Sequence, residues 1–200
     1  MPGSETKRDK ATAKRRAQIL EAAVMCFLEN GYHQTGVREI AKRAGISLGN
    51  LYNHFNGKHD VLAEIATIER RELGPILDLL GKDEPADEVL KQFLEAYVRS
   101  LSEPEIVILT LEITCEAMRK PDIAELFSES RVMLVTSLAR LIDRGVAEKT
   151  LRPVPDTEET AYLILELIEG SSYRIAIDDA PLERVLRNLI ALVMSSLVLE

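Results

Sequence analysis

The stretch that decides the fold is residues 35–58, TGVREIAKRAGISLGNLYNHFNGK. A helix-forming run over 37–44 is followed directly by Gly45, the residue type that most easily adopts the left-handed conformation that ends a helix. Ser47 is a favoured N-cap residue, and we expect its side chain to start a second helix over 48 to about 55. The stretch therefore predicts two short helices joined by a tight turn, an arrangement that can present its second helix to a DNA groove.

The outward positions of the second helix have an unusual chemistry for a surface helix, because they carry almost no charge. Neutral hydrogen-bonding and small apolar groups suit base edges, and flanking cations suit phosphates. We expect DNA contacts from Thr35, Gly36, Val37, Arg38, Ser47, Leu48, Gly49, Asn50, Tyr52, Asn53, His54 and Lys58, and from the basic cluster Lys14, Arg15 and Arg16. The alternatives are a solvated helical hairpin and, for the basic cluster, a solvated helix start.

The pattern T-x-V-R-x-I-A-x-x-A-G-I-S-x-G-x-L-Y-x-H-F-x-x-K resembles the DNA-binding signature of the TetR family of bacterial transcriptional regulators. The resemblance covers roughly residues 13–73. It implies that 47–50 form the leading edge of a recognition helix, that Tyr52 and His54 meet the DNA backbone, and that Lys58 holds a phosphate. Two positions depart from the family pattern: Gly36 replaces a common serine or threonine, and His59 replaces a usual acidic residue.

The spacing of apolar residues predicts an all-α chain of about nine helices without a sheet. We expect a disordered basic tail over 1–12, a three-helix helix-turn-helix DNA-binding domain over 13–73 with the motif itself at 36–55, and a larger helical effector-binding and dimerisation domain over 74–200. The boundary is placed at Gly74-Pro75, because proline interrupts a helix. Cys26 and Cys115 lie in apolar helical runs, which favours small buried thiols.

The net charge of −8 is unevenly distributed along the chain. Residues 1–60 contain ten lysines and arginines against six acidic residues, whereas 61–200 contain 15 against 27. A basic N-terminal part and an acidic remainder would orient the molecule near a polyanion. The polar start and the short apolar run over 189–199 predict a cytoplasmic protein without a membrane partner. The resemblance to the TetR family implies a bacterial, nucleoid-associated protein.

The last two predicted helices each carry a wide apolar stripe, and small residues interrupt the first stripe. We expect them to form a four-helix bundle with a second copy of the chain, because a twofold protein matches a palindromic site. The resemblance to TetR-like proteins implies the same arrangement. The alternative is that both stripes close the core of the monomer. The expected interface residues are Leu163, Leu167, Gly170, Ser171, Leu186, Leu189, Ile190, Val193 and Leu197.

The middle helices are expected to enclose a small-molecule effector. Glu112 and Glu116 lie one turn apart in an otherwise apolar helix, so they share a face. Facing inward, they would prefer a cationic or hydrogen-bond-donating ligand; facing outward, they would be the solvated side of the helix, which is the favoured alternative. The candidate pocket residues are Phe93, Tyr97, Glu112, Glu116, Met118, Phe127 and Met133.

The sequence offers no convergent catalytic group. His33, His54 and His59 all lie in or beside the predicted DNA-binding region, and neither cysteine has a metal-ligand neighbour at usable spacing. We therefore expect no enzyme activity, cofactor or metal. The predicted function is a ligand-responsive repressor that binds a palindromic operator as a homodimer. The alternative is a helical protein-binding adaptor, which would lack the salt-sensitive duplex binding of the first.

Overall fold

The computed structural model describes residues 7–199, except for the side chains of Lys7 and Leu126, and α-helices dominate it. In chain order these are α1 (Lys7–Asn30), α2 (Val37–Arg43), α3 (Leu48–Tyr52), α4 (Lys58–Glu72), α5 (Gly74–Leu80), α6 (Ala86–Ser100), α7 (Pro104–Ala117), α8 (Pro121–Glu148), α9 (Thr157–Asp178) and α10 (Leu182–Leu197). Within residues 7–199 the only β-type pairing is one isolated antiparallel bridge between Leu151 and Val198. The all-α prediction is confirmed.

The helix boundaries follow local signals in most places. Gly31 ends α1 with a φ of 77°, and Leu73 alone separates α4 from α5, whose first turn contains Pro75. The N-terminus differs from the prediction, because α1 already begins at Lys7. A disordered tail is therefore wrong for residues 7–12, and residues 1–6 lie outside the described part of the chain.

The chain divides into two compact units, and the division differs from the predicted one. Unit 1 comprises Met1–Glu69 together with Ile108–Leu126, and unit 2 comprises Arg70–Val107 together with Phe127–Glu200. The predicted boundary at Gly74 lies close to the first break between the units, which falls between Glu69 and Arg70. The prediction, however, placed the whole of 74–200 in one domain. Helices α4, α7 and α8 each contribute residues to both units.

The core of unit 1 is built where α1, α2, α3 and α4 bury one face each. Phe27 of α1 packs edge-on against Tyr32, with ring centroids 5.1 Å apart. Cys26 is buried as predicted, whereas Cys115 of α7 is exposed, so the prediction of a buried thiol is wrong there. The buried apolar residues of these helices include Ile19, Ala23, Phe27, Ile40, Ala41, Leu51, Val61, Leu62 and Ile65.

The core of unit 2 is one large apolar cluster to which α6, α8, α9 and α10 contribute. Phe93 and Tyr97 of α6 lie inside it with stacked rings, 5.4 Å between centroids. The same cluster contains Leu138 and Ile142 of α8 and Ile164 of α9. Burial of this apolar surface is the main force that holds the four helices together.

Candidate nucleic-acid interface

The turn between α2 and α3 has the geometry that its residues predict. Gly45 has a φ of 65°, in the left-handed region, and its N–H donates to the Lys42 carbonyl oxygen at 3.1 Å. The Ile46 N–H donates to the Ala41 carbonyl oxygen at 3.0 Å. These bonds satisfy the carbonyl groups at the end of α2. The predicted role of Gly45 is confirmed.

Ser47 starts α3 in the predicted way. Its Oγ accepts a hydrogen bond from the Asn50 backbone N–H at 3.2 Å, so Ser47 is the N-cap. The helix ends at Tyr52 rather than near Phe55, although the Phe55 N–H still donates to the Leu51 carbonyl oxygen at 3.0 Å. Gly36 occupies the N-cap position of α2 without a side-chain hydrogen bond.

The inner surfaces of α2 and α3 are apolar and fix which residues face outward. Ile40, Ala41, Ala44, Leu51 and Phe55 are buried, and Ile46 is half-buried. Since α3 is only five residues long, these buried contacts and not intrinsic helix stability must hold it in place.

The outward surface of this pair carries neutral groups at its centre and cations beside it. Tyr52 is 49% exposed, Ser47, Gly49 and Asn53 are exposed, and Leu48, Asn50 and His54 are half-buried. Helix α3 itself contains no charged residue. On α2, Arg38 and Lys42 are exposed and Val37 is half-buried. Hydrogen-bonding groups flanked by cations suit a DNA groove between two phosphate backbones.

Thr35 has a structural role instead of the predicted DNA contact. Its side chain is only 2% exposed, and its hydroxyl lies 2.9 Å from the Gly31 carbonyl oxygen and 3.1 Å from the Cys26 carbonyl oxygen. A buried hydroxyl needs such a partner. Thr35 therefore stabilises the turn between α1 and α2 through these two hydrogen bonds.

Arg16 is also engaged inside unit 1 and not free for a phosphate. Its Nη1 donates to the His54 carbonyl oxygen at 2.8 Å, and its Nη2 lies 2.9 Å from Glu64 Oε2. The guanidinium stacks over the Phe55 ring at 4.3 Å from the centroid. Of the other two basic residues, Lys14 is exposed and Arg15 donates to Gln18.

Lys58 differs from its predicted role in the same way. Its Nζ donates to the carbonyl oxygens of Tyr32 at 2.5 Å and His33 at 3.2 Å, and it lies 4.3 Å from the centre of the Tyr32 ring. Partial burial, followed by the charge of Lys120, lowers the pKa of Lys58. The Lys58 ammonium group thus links the start of α4 to residues 32–33, in the corner where the chain leaves α1.

Gln18 is a residue that the sequence analysis missed. Its Nε2 donates to the Ala44 carbonyl oxygen at 2.6 Å, which ties α1 to the turn that presents α3. A lone glutamine on an exposed helix position gives no local signal of such a contact.

The predicted pocket residues have other surroundings in the structure. Phe93 and Tyr97 belong to the packed core of unit 2, Met118 is 77% exposed, Met133 is exposed and Phe127 is half-buried. None of the seven predicted residues lines the open cleft of about 310 Å³ found in unit 1, which is bounded by Arg16, His54, Phe55, Asp60, Ala63, Glu64 and Thr67.

Glu112 and Glu116 contradict the favoured view that they form a solvated face. Glu116 is 2% exposed and lies 3.3 Å from Lys120 Nζ and 3.2 Å from Arg119 Nη1, and half-buried Glu112 accepts a hydrogen bond from a backbone N–H. Burial on its own would raise the pKa of Glu116, but Lys120, Arg119 and His33 outweigh it and hold that pKa below its ordinary value.

The predicted dimer interface divides into a buried and an exposed part. Leu186, Leu189, Val193 and Leu197 are buried in the core of unit 2, so their assignment to an intermolecular surface is wrong. Leu163 and Leu167 of α9 are 52% and 43% exposed, Gly170 is exposed, and Ser171 and Ile190 are half-buried. Leu192 of α10, which was not predicted, is 55% exposed.

Comparison with known proteins gives two family matches that together cover most of the chain. The profile of bacterial regulatory proteins of the tetR family matches residues 19–65, and the C-terminal profile of BetI-type transcriptional repressors matches residues 85–197. The chain belongs to the TetR family. It is a DNA-binding transcriptional regulator and not an enzyme, as predicted, and the adaptor alternative is set aside.

One named regulator agrees with this assignment, and two solved structures share the fold. The HTH-type transcriptional regulator UidR of Escherichia coli K12 is 26% identical over 165 residues, which cover 82% of this TetR-family chain and 83% of UidR. A Saccharomonospora viridis protein solved in complex with choline has a TM-score of 0.82 at 22% identity, covering 94% of this chain and all of that one. FadR of Bacillus subtilis in complex with stearoyl-CoA has a TM-score of 0.75 at 22% identity, covering 90% and 97%.

Among the described residues, no helix is both long enough and apolar enough to cross a bilayer. Over the same residues, no group of three or more histidine, cysteine, aspartate or glutamate side chains is arranged to hold a metal ion.

Proposed function

We propose that this TetR-family regulator is a ligand-responsive repressor that binds a palindromic operator as a homodimer. The observation that carries the proposal is the outward surface of α2 and α3, where uncharged Ser47, Gly49, Tyr52 and Asn53 are exposed beside the cation Arg38. The match of residues 85–197 to a repressor profile supports repression rather than activation.

Within this surface we assign two kinds of DNA contact. Leu48, Gly49 and Asn50 lie at the start of α3 and are proposed to read base edges. Arg38, Tyr52 and the neighbouring Ser47, Asn53 and His54 are proposed to contact the phosphate backbone, with Lys14 and Arg15 of α1 adding charge. Arg16, Thr35 and Lys58 are not part of the proposed contact set, because their polar groups bind within unit 1.

Dimerisation is proposed through the exposed apolar residues of α9 and α10. Leu163, Leu167 and Leu192 are each at least 43% exposed, and a side chain added at Gly170 would meet nothing within 4 Å. Exposed large apolar residues beside an open glycine favour close packing against a second copy. Twofold pairing would present two α3 helices to successive major grooves.

The effector is proposed to be a small molecule. The support is that proteins of the same fold were solved with choline and with stearoyl-CoA, two chemically different ligands. Helices α4, α7 and α8 contribute to both compact units, so a ligand that prefers one arrangement of these helices would change DNA affinity.

The test measures binding of the purified protein to its own upstream DNA by fluorescence anisotropy over a range of salt concentrations. We expect a steep loss of affinity with salt. Arg38→Ala should weaken binding to all sequences and reduce the salt slope by about 1, whereas Leu48→Ala and Asn50→Ala should change which sequence is preferred. Lys91→Ala, an exposed lysine of α6, is the control. Absence of binding at every salt concentration would refute the proposal.

A further inference from the structure

Glu112 of α7 contacts the corner at which the chain passes from α1 to α2. Its Oε2 accepts a hydrogen bond from the Tyr32 backbone N–H at 3.0 Å, although 80 positions separate the two residues. A Cβ atom built on Gly31 would lie 3.1 Å from both carboxylate oxygens of Glu112. The glycine at this corner therefore leaves room for the carboxylate as well as ending α1.

Glu116, one turn further along α7, faces the same corner and is almost fully buried. Its Oε1 lies 3.7 Å from His33 Nδ1, and the cations Lys120 and Arg119 lie within 3.3 Å of its carboxylate oxygens. Lys120 also lies 5.8 Å from the centre of the Tyr32 ring. A buried carboxylate is tolerated only when it is paired in this way.

The same corner is bound from the other side by the first residue of α4. Lys58 Nζ donates to the carbonyl oxygens of Tyr32 and His33, and Tyr32 itself is only 3% exposed. Between α3 and α4 lie only residues 53–57. The corner is thus held by α7 through the Tyr32 N–H and by α4 through the carbonyl oxygens of Tyr32 and His33, and α4 is the next helix after α3.

We propose that Glu112 is a positioning residue for DNA binding, which acts through Tyr32 and Lys58 on the placement of α3, with Glu116 in support. The inference rests on the proposed operator binding by α3. Loss of a negative charge and loss of a positioning contact should change DNA affinity in opposite directions, so one measurement separates the two effects. Removing an anion from a DNA-binding unit should strengthen binding to a polyanion by charge alone. Removing a positioning contact should weaken it.

The experiment compares operator affinity for the full-length wild type, Glu112→Ala and Glu112→Gln. The alanine variant loses the acceptor of the Tyr32 N–H, and we expect a roughly tenfold weaker affinity with an unchanged salt slope, because no phosphate contact is lost. Glutamine keeps an acceptor oxygen and should recover most of the lost affinity. Glu105→Ala, an exposed glutamate at the start of α7, is the matched control and should bind as the wild type does.

Amide hydrogen exchange at Tyr32 provides the second readout. Exchange should be faster in Glu112→Ala and slow again in Glu112→Gln if the N–H bond is the positioning contact. If the alanine variant does not fold, Glu112→Met fills a similar volume without an acceptor and replaces it.

Two outcomes would overturn the inference. One is a Glu112→Ala affinity equal to or higher than that of the wild type, and the other is a loss that glutamine does not recover. Neither outcome contradicts operator binding by the wild type. A wild type that fails to bind any upstream DNA would instead refute the proposed function, so the two failures are distinguishable.

Discussion

At the scale of single residues, two glycines of the helix-turn-helix have different roles. Gly45 has a φ of 65°, where a Cβ atom is strained by the backbone itself, whereas Gly49 has no positive φ. A Cβ atom at either position would meet nothing within 4 Å in the free protein. Steric space in the protein therefore does not explain either glycine. Backbone conformation explains Gly45, and the proposed approach to DNA explains Gly49.

This difference predicts opposite effects of alanine at the two positions. Gly45→Ala should reduce the free energy of unfolding by about 1 to 2 kcal/mol, because alanine is strained in the left-handed region. Gly49→Ala should leave stability unchanged or raise it by up to about 1 kcal/mol, while weakening operator binding. Urea unfolding and anisotropy measure the two quantities. Gly45→Asn is the control, since asparagine tolerates this conformation. Unchanged DNA affinity of Gly49→Ala would contradict the proposed close approach.

Glu116 links stability to pH. Its pKa in the folded state lies below the ordinary value of 4.5, because Lys120, Arg119 and His33 outweigh the opposing effect of burial. A carboxyl whose pKa is lowered on folding stabilises the protein above its unfolded-state pKa, and this contribution is lost as pH falls through the folded-state pKa. Tyr32 and Lys58 lie beside this group of charged residues: the centre of the Tyr32 ring is 5.8 Å from Lys120 Nζ and 4.3 Å from Lys58 Nζ.

We therefore expect Glu116→Gln to lower the free energy of unfolding at neutral pH by about 1 to 3 kcal/mol and to flatten its decline below pH 4.5. Urea unfolding at neutral and acidic pH measures both effects. Glu105→Gln should change neither. A variant as stable as the wild type at neutral pH, with the same acid sensitivity, would show that this pairing adds nothing to stability.

At the scale of helices, α3 depends on its neighbours. A five-residue helix is not stable alone, and Arg16 of α1 binds the chain directly after it, at the His54 carbonyl oxygen and the Phe55 ring. Within the described part of the chain, Arg15, the adjacent residue, donates only to Gln18 in its own helix. Two neighbouring arginines therefore have separate expected roles, one in folding and one in the field that attracts DNA.

The comparison of Arg16→Met with Arg15→Met tests this separation. We expect Arg16→Met to lower the free energy of unfolding by about 1 to 3 kcal/mol, because it removes a charged donor from a carbonyl and a carboxylate. Arg15→Met should leave stability unchanged and reduce the salt slope of DNA binding by about 1. Thermal unfolding and salt titrations separate the two. A reversed pattern would mean that Arg16 reaches the phosphates after all.

The helices that the sequence predicts well are those with local signals. Apolar periodicity placed most helices, Gly45 and Ser47 marked the turn, and Pro75 marked the break after α4, because each signal acts within one turn of the chain. The partners of Lys58 and Glu112 lie 26 and 80 positions away. Their roles depend on which helices meet in space, and a sequence pattern does not contain that information.

At the scale of the whole molecule, an apolar stripe does not specify its partner. The apolar stripe of α10 has the same sequence pattern whether Leu186, Leu189 and Val193 face the core of their own chain or a second copy. The structure places all three in the core of unit 2. What remains exposed on α9 and α10 is narrower, with Leu163, Leu167, Ile177 and Leu192 as its large apolar members. The proposed dimer surface is therefore smaller than the sequence predicted.

The exposed apolar surface of α9 and α10 predicts that a single charged substitution within it will dissociate the proposed dimer. Leu163→Glu should turn the dimer into a monomer, because a carboxylate buried between two apolar helices lacks a partner. Operator affinity should then fall by several orders of magnitude, since each α3 binds alone. Analytical ultracentrifugation and anisotropy measure the two changes. Val132→Glu on α8 is the matched control, because Val132 is 53% exposed and Leu163 52%. A Leu163→Glu dimer that binds its operator normally would place the twofold interface elsewhere.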